Sequence, residues 1–447
     1  LWHLALPFVG LRLIWRARRQ PEYLQHLHER FGAAPCLGKA PVIWLHAVSV
    51  GETRAAQPLI KALLTHYPQH QILLTHMTPT GRATGEDLFG KETRVSRCYL
   101  PYDLPWAMQR FLNRVKPQLG IIMETEVWPG LMATARQKRL PMLLANARLS
   151  ARSARGYLRL GRLTREAYGS FAEVLAQTPD DAQRLAECGA PAPQVLGNLK
   201  FDVDIDPARL ALGERFRTEA GSRPVILAAS TREGEEGPLL DAFLRHAAPE
   251  FLLVLVPRHP QRFDEVAELV AARKLTLARR STGEAIPTDT RVWLGDSMGE
   301  MLAYYRMADI AIIGGSWLPL GGQNLIEACA LGVPVLVGQH TFNFAEAVAK
   351  ALAAGAARRC KDLDTALSLA TGLLREPERL AAMGEAGRKF ADANRGATAR
   401  TLEAIEHLLG KPEIQAVAEP QPGATGTHQA SSPPRQKRPA RTSKPYT

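Results

Sequence analysis

Short apolar runs alternate with amphipathic stretches along the first half of the chain. The runs cover residues 42–45, 72–75, 95–100, 119–123, 142–145 and 174–176, and helical patterns such as 106–115 and 131–138 lie between them. Each run has the length of a strand and is apolar on both faces, as in a parallel sheet covered by helices. The pattern therefore predicts an α/β fold with a parallel sheet.

The same alternation restarts in the second half, with apolar runs at 225–229, 251–257, 292–294, 310–315 and 333–338. Between the halves, residues 197–207 lose periodicity and include Asp202, Asp204 and Asp206. We interpret Asp202 and Asp204 as solvated residues of a linker, not as a metal site. The sequence thus predicts two Rossmann-like, doubly wound domains that face each other across a cleft, where ligands bind at the carboxyl ends of the strands.

The two ends of the chain differ in composition from these domains. Residues 1–20 are mostly apolar and end in Arg16, Arg18 and Arg19, which is typical of a membrane anchor remnant, an amphipathic segment or an ordinary packed helix. Residues 410–447 are rich in proline and basic residues, and we expect them to be disordered. The predicted folded domains are therefore 21–205 and 206–409.

The formal net charge of +12 indicates an anionic partner, such as nucleic acid, an acidic membrane surface or a phosphorylated substrate. Residues 411–447 hold six Lys/Arg and two Glu, so the folded part is less basic than the total. The five cysteines form no CxxC pair, which favours a reducing cytoplasm over a disulfide framework or zinc site. Walker A and complete GxGxxG motifs are absent from the sequence, which argues against ATPases and dinucleotide oxidoreductases.

Acidic residues follow two of the predicted strands. Glu52 comes after the run at 42–45 and a turn at Gly51, and Glu124 and Glu126 follow the run at 119–123. Such carboxylates act as general bases or stabilise positive charge when burial or neighbours tune their pKa. The structural alternatives are that Glu52 and Glu126 favour a helix start and that Glu124 pairs with an arginine. Lys200, where the first domain ends, is a candidate partner for developing negative charge.

An arginine-rich run begins at Arg148 and continues to Arg165. Arginine binds phosphate through two parallel hydrogen bonds, so this run is a candidate anion-binding surface. The alternative is a solvated helix face.

Four turns in the second domain predict a phosphate- and ribose-binding edge. At 230–236, hydroxyls and free backbone N–H groups precede a helix and suggest a phosphate cradle. The second turn, 257–260, places Arg258 at a strand end, and the third, 296–301, leads into a helix. In the fourth, 321–328, Asn324 and Glu327 share one face of a helix start, where a carboxylate can bind ribose hydroxyls.

Several of these stretches together resemble the 3-deoxy-D-manno-octulosonic acid (Kdo) transferases of lipopolysaccharide synthesis, from about residue 10 to 405. The motifs are His46-Ala47-Val48-Ser49-Val50-Gly51-Glu52, Met77-Thr78-Pro79-Thr80-Gly81, Leu100-Pro101-Tyr102-Asp103, Met123-Glu124-Thr125-Glu126-Val127-Trp128-Pro129, Asn146-Ala147-Arg148-Leu149-Ser150, Pro257-Arg258-His259-Pro260, Gly322 to Glu327 and His340-Thr341-Phe342-Asn343-Phe344. The sequence departs from the family at Arg232, where histidine is common, and at residues 315–320.

The resemblance implies a GT-B fold and inverting transfer of Kdo from CMP-Kdo to the lipid A precursor, lipid IVA, with no metal and no further cofactor. It places the enzyme on the anionic cytoplasmic face of the inner membrane, with 21–205 binding the acceptor and 206–409 the CMP-sugar, and it implies no nucleic-acid partner. Glu52 resembles the general base, and Glu124 and Lys200 resemble the transition-state stabilisers. The residues that resemble the CMP site are Pro257, Arg258, Met298, Gly299, Glu300, Asn324, Leu325, Ile326 and Glu327. The alternatives are a nucleotide-sugar epimerase or hydrolase of the same fold and a non-catalytic nucleotide-sugar-binding membrane protein.

Overall fold

The computed structural model of this chain describes residues 13, 15–18 and 20–410. Most of the predicted membrane segment at 1–20 lies outside the described residues, and so does the predicted tail at 410–447 except for Gly410. Among the residues that are described, we find no helix that combines the length and the apolar character needed to cross a bilayer.

A seven-stranded parallel sheet forms the centre of the first domain, in the order β3-β2-β1-β4-β5-β6-β7. Its strands are β1 (Val42–His46), β2 (Gln71–His76), β3 (Val95–Tyr99), β4 (Leu119–Met123), β5 (Met142–Ala147), β6 (Glu173–Ala176) and β7 (Gln194–Val195). The first six confirm the apolar runs of the sequence. The last, β7, has two exposed residues on the sheet edge and therefore carries no apolar signal.

The second domain has its own seven-stranded parallel sheet, in the order β10-β11-β9-β8-β12-β13-β14. Its strands are β8 (Val225–Thr231), β9 (Leu252–Pro257), β10 (Leu277–Arg279), β11 (Val292–Leu294), β12 (Ile310–Ile313), β13 (Val335–Val337) and β14 (Ala357–Arg359). The sequence did not predict β10 and β14, the two edge strands, because they are short and partly polar. The prediction of two doubly wound domains is confirmed.

Helices cover both faces of each sheet. In the first domain they are α1 (Val50–Ala55), α2 (Gln57–His66), α3 (Pro79–Phe89), α4 (Pro105–Val115), α5 (Pro129–Gln137), α6 (Ala151–Leu158), α7 (Arg162–Tyr168) and α8 (Pro179–Glu187). After these come α9 (Pro207–Ala220), α10 (Glu236–His246), α11 (Phe263–Ala271), α12 (Met301–Met307), α13 (Ile326–Ala330), α14 (Ala345–Ala353), α15 (Leu363–Leu373), α16 (Pro377–Asn394) and α17 (Ala397–Leu409). The layers bury two apolar clusters per domain, one on each side of the sheet.

The last helix, α17, returns to the first domain. Its buried residues Ala397, Ala404 and Ile405 belong to the same cluster as Ile43 and Leu45 of β1. The first domain is therefore completed by residues that follow the second domain in the chain.

Asp202 fixes this return. Its carboxylate accepts hydrogen bonds from the N–H groups of Gly396 and Thr398 at the start of α17. Side-chain acceptors at a helix start satisfy N–H groups that have no partner within the helix. The prediction that Asp202 is merely solvated is therefore wrong, whereas Asp204 is exposed and pairs with Lys61.

Candidate active site

The first half of the site is built where β1 and its neighbour β4 end. Ser49 caps α1, and Glu52 lies in the first turn of that helix. The Val48 N–H donates to Oε2 of Glu52 at 2.7 Å, and the Ser49 hydroxyl donates to Oε1 at 3.3 Å. This arrangement resembles a capping box, so the structural role expected for Glu52 is present. The same two bonds hold its carboxylate in one orientation at the sheet edge.

The acidity of Glu52 is strongly changed by its surroundings. Burial raises the pKa of the Glu52 carboxyl to about 7, the Val48 N–H opposes the shift, and the nearby carboxylates of Glu124 and Glu126 add to it. A carboxylate with a pKa near neutrality suits a general base, because enough of it is ionised while it still binds a proton well. The influence of Glu124 and Glu126 also shows that the structure brings the three acids together.

Glu124 is fixed by backbone geometry and by two cations. It is 2% exposed and has a φ of 57°, a left-handed conformation that is unusual for a residue with a side chain. Its carboxylate contacts Nε of Arg148 at 2.7 Å and Nζ of Lys200 at 3.5 Å. The predicted pairing of Glu124 with an arginine is therefore confirmed, and the cations balance a buried charge that would otherwise be costly.

Lys200 connects the two domains. Its ammonium group lies 3.5 Å from Glu124 of the first domain and 5.8 Å from the ring centroid of Phe344 in the second. The three residues predicted to be catalytic thus lie at one sheet edge, on the side that faces the second domain.

Glu126 is held next to this group. Its carboxylate accepts a hydrogen bond from the indole N–H of Trp128 at 3.0 Å. Burial raises the pKa of the Glu126 carboxyl, and the indole bond opposes the shift. The structural alternative for Glu126, a cap of the following helix, is wrong, because the Gly130 and Leu131 N–H groups at the start of α5 donate to the carboxylate of Asp103.

The second half of the site follows the four neighbouring strands β11, β9, β8 and β12. Burial lowers the pKa of the Arg258 guanidinium after β9, and the positive charges of Arg54 and Arg232 lower it further, whereas Glu327 opposes the shift. The charges of two further arginines and of one carboxylate therefore act on Arg258. Such a surplus of positive charge favours an anionic ligand such as a phosphate.

Asn324 and Glu327 form one hydrogen-bonded unit, as their spacing predicts. Nδ2 of Asn324 donates to Oε1 of Glu327 at 3.0 Å, and Oδ1 of Asn324 accepts the Ile326 N–H at 2.9 Å. Leu325 and Ile326 between them are buried, so their side chains belong to the core and only their backbone can face a ligand. Burial raises the pKa of the Glu327 carboxyl, and Asn324, Arg54 and Arg258 oppose the shift.

The turn at 230–236 differs from its prediction. Glu235 is 1% exposed, and its carboxylate accepts the N–H groups of Arg232, Gly315 and Trp317 at 2.8 to 3.1 Å. The prediction of free N–H groups is therefore wrong for Arg232, because a buried carboxylate from the same turn binds its N–H. Glu235 instead holds together the loops after β8 and β12.

The loop after β11 presents few free polar side chains. Glu300 accepts two bonds from Arg280, at 3.0 and 3.1 Å, and one from Ser297 at 2.6 Å. Met298 is 56% exposed, and Gly299 has a φ of 75° that permits a tight turn. The parts of this loop that are available to a ligand are its backbone and the Met298 side chain. Pro257 ends β9, directly before Arg258.

Sequence reasoning missed Arg54. It lies in α1 two residues after Glu52, yet its charge affects the pKa of both Arg258 and Glu327 in the second domain. The signal that could have identified Arg54 from the sequence is its position, as a basic residue two positions after the candidate base Glu52.

The described residues contain one cluster with the donor atoms of a metal site, His26, His28 and Glu29. None of the three belongs to the site described above. The Glu29 carboxylate also already binds Arg82 and the backbone N–H of Tyr99.

Comparison with known proteins identifies the family. The family described as 3-Deoxy-D-manno-octulosonic-acid transferase (kdotransferase) matches residues 25–203, and the family Glycosyl transferases group 1 matches residues 248–390. A 3-deoxy-D-manno-octulosonic acid transferase of Bordetella pertussis is 50% identical over 417 residues, covering 90% of this chain and 97% of that protein. The chain belongs to the Kdo transferase family. A Haemophilus influenzae protein of the same name is 38% identical and covers 91% of this chain and 96% of its own length.

The Kdo transferase fold is shared with more distant solved structures. A UDP-GlcNAc 2-epimerase from Neisseria meningitidis aligns with a TM-score of 0.56 at 17% identity, covering 82% of this chain and all of that one. A glycosyltransferase from Rickettsia africae aligns with a TM-score of 0.54 at 15% identity, covering 83% of this chain and all of that one. These likenesses concern the fold alone. Together with the family, they confirm the predicted GT-B fold and a glycosyltransferase enzyme.

Proposed function

We propose that this Kdo transferase moves Kdo from CMP-Kdo to the lipid A precursor, lipid IVA, with inversion at the sugar carbon and without a metal ion or further cofactor. We place the reaction at the cytoplasmic face of the inner membrane. The observation that carries the proposal is a partly buried carboxylate with a pKa of about 7, Glu52, on the first domain, together with Arg258 and Arg232 on the second.

In the proposed reaction, Glu52 is the general base. Its ionised carboxylate accepts the proton of an acceptor hydroxyl as that oxygen forms a bond to the anomeric carbon of Kdo. The bond from this carbon to the phosphate oxygen breaks at the same time, and CMP leaves with the electron pair. Attack from the face opposite the leaving group inverts the configuration, as expected when one carboxylate activates the nucleophile directly.

The site holds both a carboxylate and cationic side chains, and these match the positive charge on the sugar carbon and the negative charge on the phosphate that develop during transfer. The sugar carbon becomes positively charged in an oxocarbenium-like transition state, which the carboxylate of Glu124 favours. The leaving phosphate gains negative charge, which Arg258 and Lys200 favour. The contacts of Glu124 with Arg148 and Lys200 hold these groups in place before the substrate binds, so little reorganisation is needed during the reaction.

In this proposal CMP lies on the second domain. The Asn324–Glu327 unit supplies polar groups for the ribose, and the backbone around Gly299 allows close approach. Arg54 contributes positive charge from the first domain. The arginine group supplies a function that many transferases obtain from a divalent cation, which is the basis for proposing a metal-independent reaction.

The test is transfer of labelled Kdo from CMP-Kdo to lipid IVA, followed by thin-layer analysis, with and without EDTA. We expect transfer in EDTA, and loss of at least 100-fold in the Glu52→Gln variant with CMP affinity retained. Transfer by Glu52→Gln at the wild-type rate would exclude the base assignment. Release of CMP or conversion of the sugar without an acceptor would instead indicate a hydrolase or epimerase, and dependence on added metal would exclude the metal-free mechanism.

A further inference from the structure

Asn146 has an unusual backbone conformation near the end of strand β5. It is buried, and its φ of 52° lies in the left-handed region. The pairing of β5 with β6 shifts register between Leu144 and Ala147, so the ladder is irregular at this point. A left-handed conformation is costly for a residue with a side chain, whereas glycine adopts it freely. The backbone at position 146 therefore favours glycine, and the presence of an asparagine side chain needs another reason.

The hydrogen bonds of Asn146 supply that reason. Its Oδ1 accepts the Leu199 N–H at 3.0 Å, and its backbone carbonyl accepts Nε2 of Gln177 at 2.8 Å; both bonds are buried. Nδ2 of Asn146 is buried as well and has no hydrogen-bond partner among the described residues. An unpaired buried donor lowers stability, as does the left-handed backbone, so a role in folding alone does not account for this residue.

A series of amide hydrogen bonds connects Asn146 to the backbone of Lys200. Oε1 of Gln177, whose Nε2 binds Asn146, accepts Nδ2 of Asn198 at 2.9 Å. Oδ1 of Asn198 in turn accepts the Lys200 N–H at 3.0 Å. Asparagine side chains therefore hold the N–H groups of two successive residues, Leu199 and Lys200.

The same strand end is also connected to Glu124. The Glu124 N–H donates to the carbonyl of Ala145, directly before Asn146, at 3.0 Å. Arg148, two residues after Asn146, contacts the Glu124 carboxylate from one side, and Lys200 contacts it from another. A lysine side chain is long and flexible, so the position of its ammonium group depends on how firmly its backbone is held. Asn146 lies where the backbone segments that carry these three charged groups meet.

We propose that Asn146 is a positioning residue for transfer, which holds the backbone of Lys200 so that its ammonium group stays beside Glu124. Asn146 acts on Lys200 through Leu199 and, by way of Gln177, through Asn198. In the proposed function, on which this inference rests, Lys200 favours the negative charge of the leaving phosphate. Such stabilisation depends on a charge that is in place before the reaction, so a small displacement of Lys200 lowers the rate.

The first test measures the hydrogen bonds themselves and requires no turnover. Amide hydrogen exchange, followed by mass spectrometry, is compared between the wild type, Asn146→Gly and Arg139→Gly. Arg139 is the matched control, because it is an exposed residue of the first domain with a φ of 54°. We expect exchange in the peptide that contains Leu199 and Lys200 to become about 5- to 10-fold faster in Asn146→Gly and to stay unchanged in Arg139→Gly. Equal exchange in the wild type and Asn146→Gly would overturn the proposal.

The second test asks whether Asn146 acts through Lys200. Transfer of Kdo and affinity for CMP are measured for Asn146→Gly, Lys200→Met and the double variant. Asn146→Gly should lower the rate of transfer by about 10- to 100-fold and change CMP affinity by less than about twofold. In the Lys200→Met background, the same substitution should change the rate by less than about twofold, because the group that Asn146 positions is already gone. Losses that multiply in the double variant would show that Asn146 acts independently of Lys200.

Asn198→Ala repeats this test from the other end of the network and leaves the left-handed backbone at position 146 unaltered. It should also lower the rate of transfer, and it should have little further effect in the Lys200→Met background. A wild-type rate in Asn198→Ala would contradict positioning through the network. Transfer by Lys200→Met at the wild-type rate would contradict the role of Lys200 in the proposed function, whereas unchanged amide exchange in Asn146→Gly would contradict this inference alone.

Discussion

The pKa of Glu52 leads to a prediction about the pH dependence of transfer. A base with a pKa of about 7 is about 9% ionised at pH 6 and about 91% ionised at pH 8, so the rate should rise roughly tenfold between them. Initial rates with saturating acceptor, measured across this range, give the midpoint of the profile. The Glu52→Gln variant should lose about 10² to 10⁴ in rate and, since it has no titrating base, show no such rise.

The midpoint should respond to a neighbouring charge. Glu126→Gln removes one of the two carboxylates that raise the pKa of Glu52, and the amide can still accept the Trp128 bond. The profile should then shift to lower pH by a few tenths of a unit, giving about 1.5 to 2 times more ionised base at about pH 6. Glu166→Gln, at an exposed position, is the control and should leave the midpoint unchanged.

The same shift has a consequence for stability with a defined sign. The pKa of about 7 in the folded chain lies above the ordinary glutamate value of 4.5. The free energy of unfolding therefore falls as the pH rises through this interval, because the folded chain must ionise a buried acid. Converted directly, the shift in pKa corresponds to a change of about 3 kcal/mol in the free energy of unfolding. We expect about 1 to 2 kcal/mol, because the Glu52 side chain is partly exposed and solvent screens its charge. Glu52→Gln should therefore unfold at higher urea than the wild type at about pH 8 and equally at about pH 4. A flat rate profile together with equal stability at both pH values would refute the reasoning.

Three further variants test other parts of the structure. Arg258→Ala should weaken CMP binding in calorimetry by about 10- to 100-fold, since it removes the charge-assisted hydrogen bond that we propose between Arg258 and the phosphate, whereas Arg375→Ala should not. Lys200→Met should lower the rate of transfer more than CMP affinity, because it removes a charge beside Glu124; an equal loss in both would assign Lys200 to ground-state binding. Asp202→Ala should lower the free energy of unfolding by about 0.5 to 2 kcal/mol through the lost α17 cap, and Asp204→Ala should have little effect.

Local pattern was sufficient to predict every strand of the two sheets except β7, β10 and β14. A buried parallel strand must be apolar along its whole length, so the runs at 42–45 and 119–123 marked β1 and β4, and Glu52 and Glu124 had to follow at the same edge. The edge strands β7, β10 and β14 escaped prediction because they are short and half solvated, and such strands need no apolar run.

The sequence by itself determined the alternation of strands and helices, the strand ends that carry the acids and arginines, and the motifs that mark the family, because each depends on residues close together in the chain. Only the tertiary structure decided the rest. It brings Arg54 to Arg258, places the cations of Arg148 and Lys200 on Glu124, and uses Asp202 to hold a helix almost two hundred residues away. Burial and charge depend on neighbours that the fold supplies, so a pKa of about 7 for Glu52 cannot be deduced from the residues beside it in the chain.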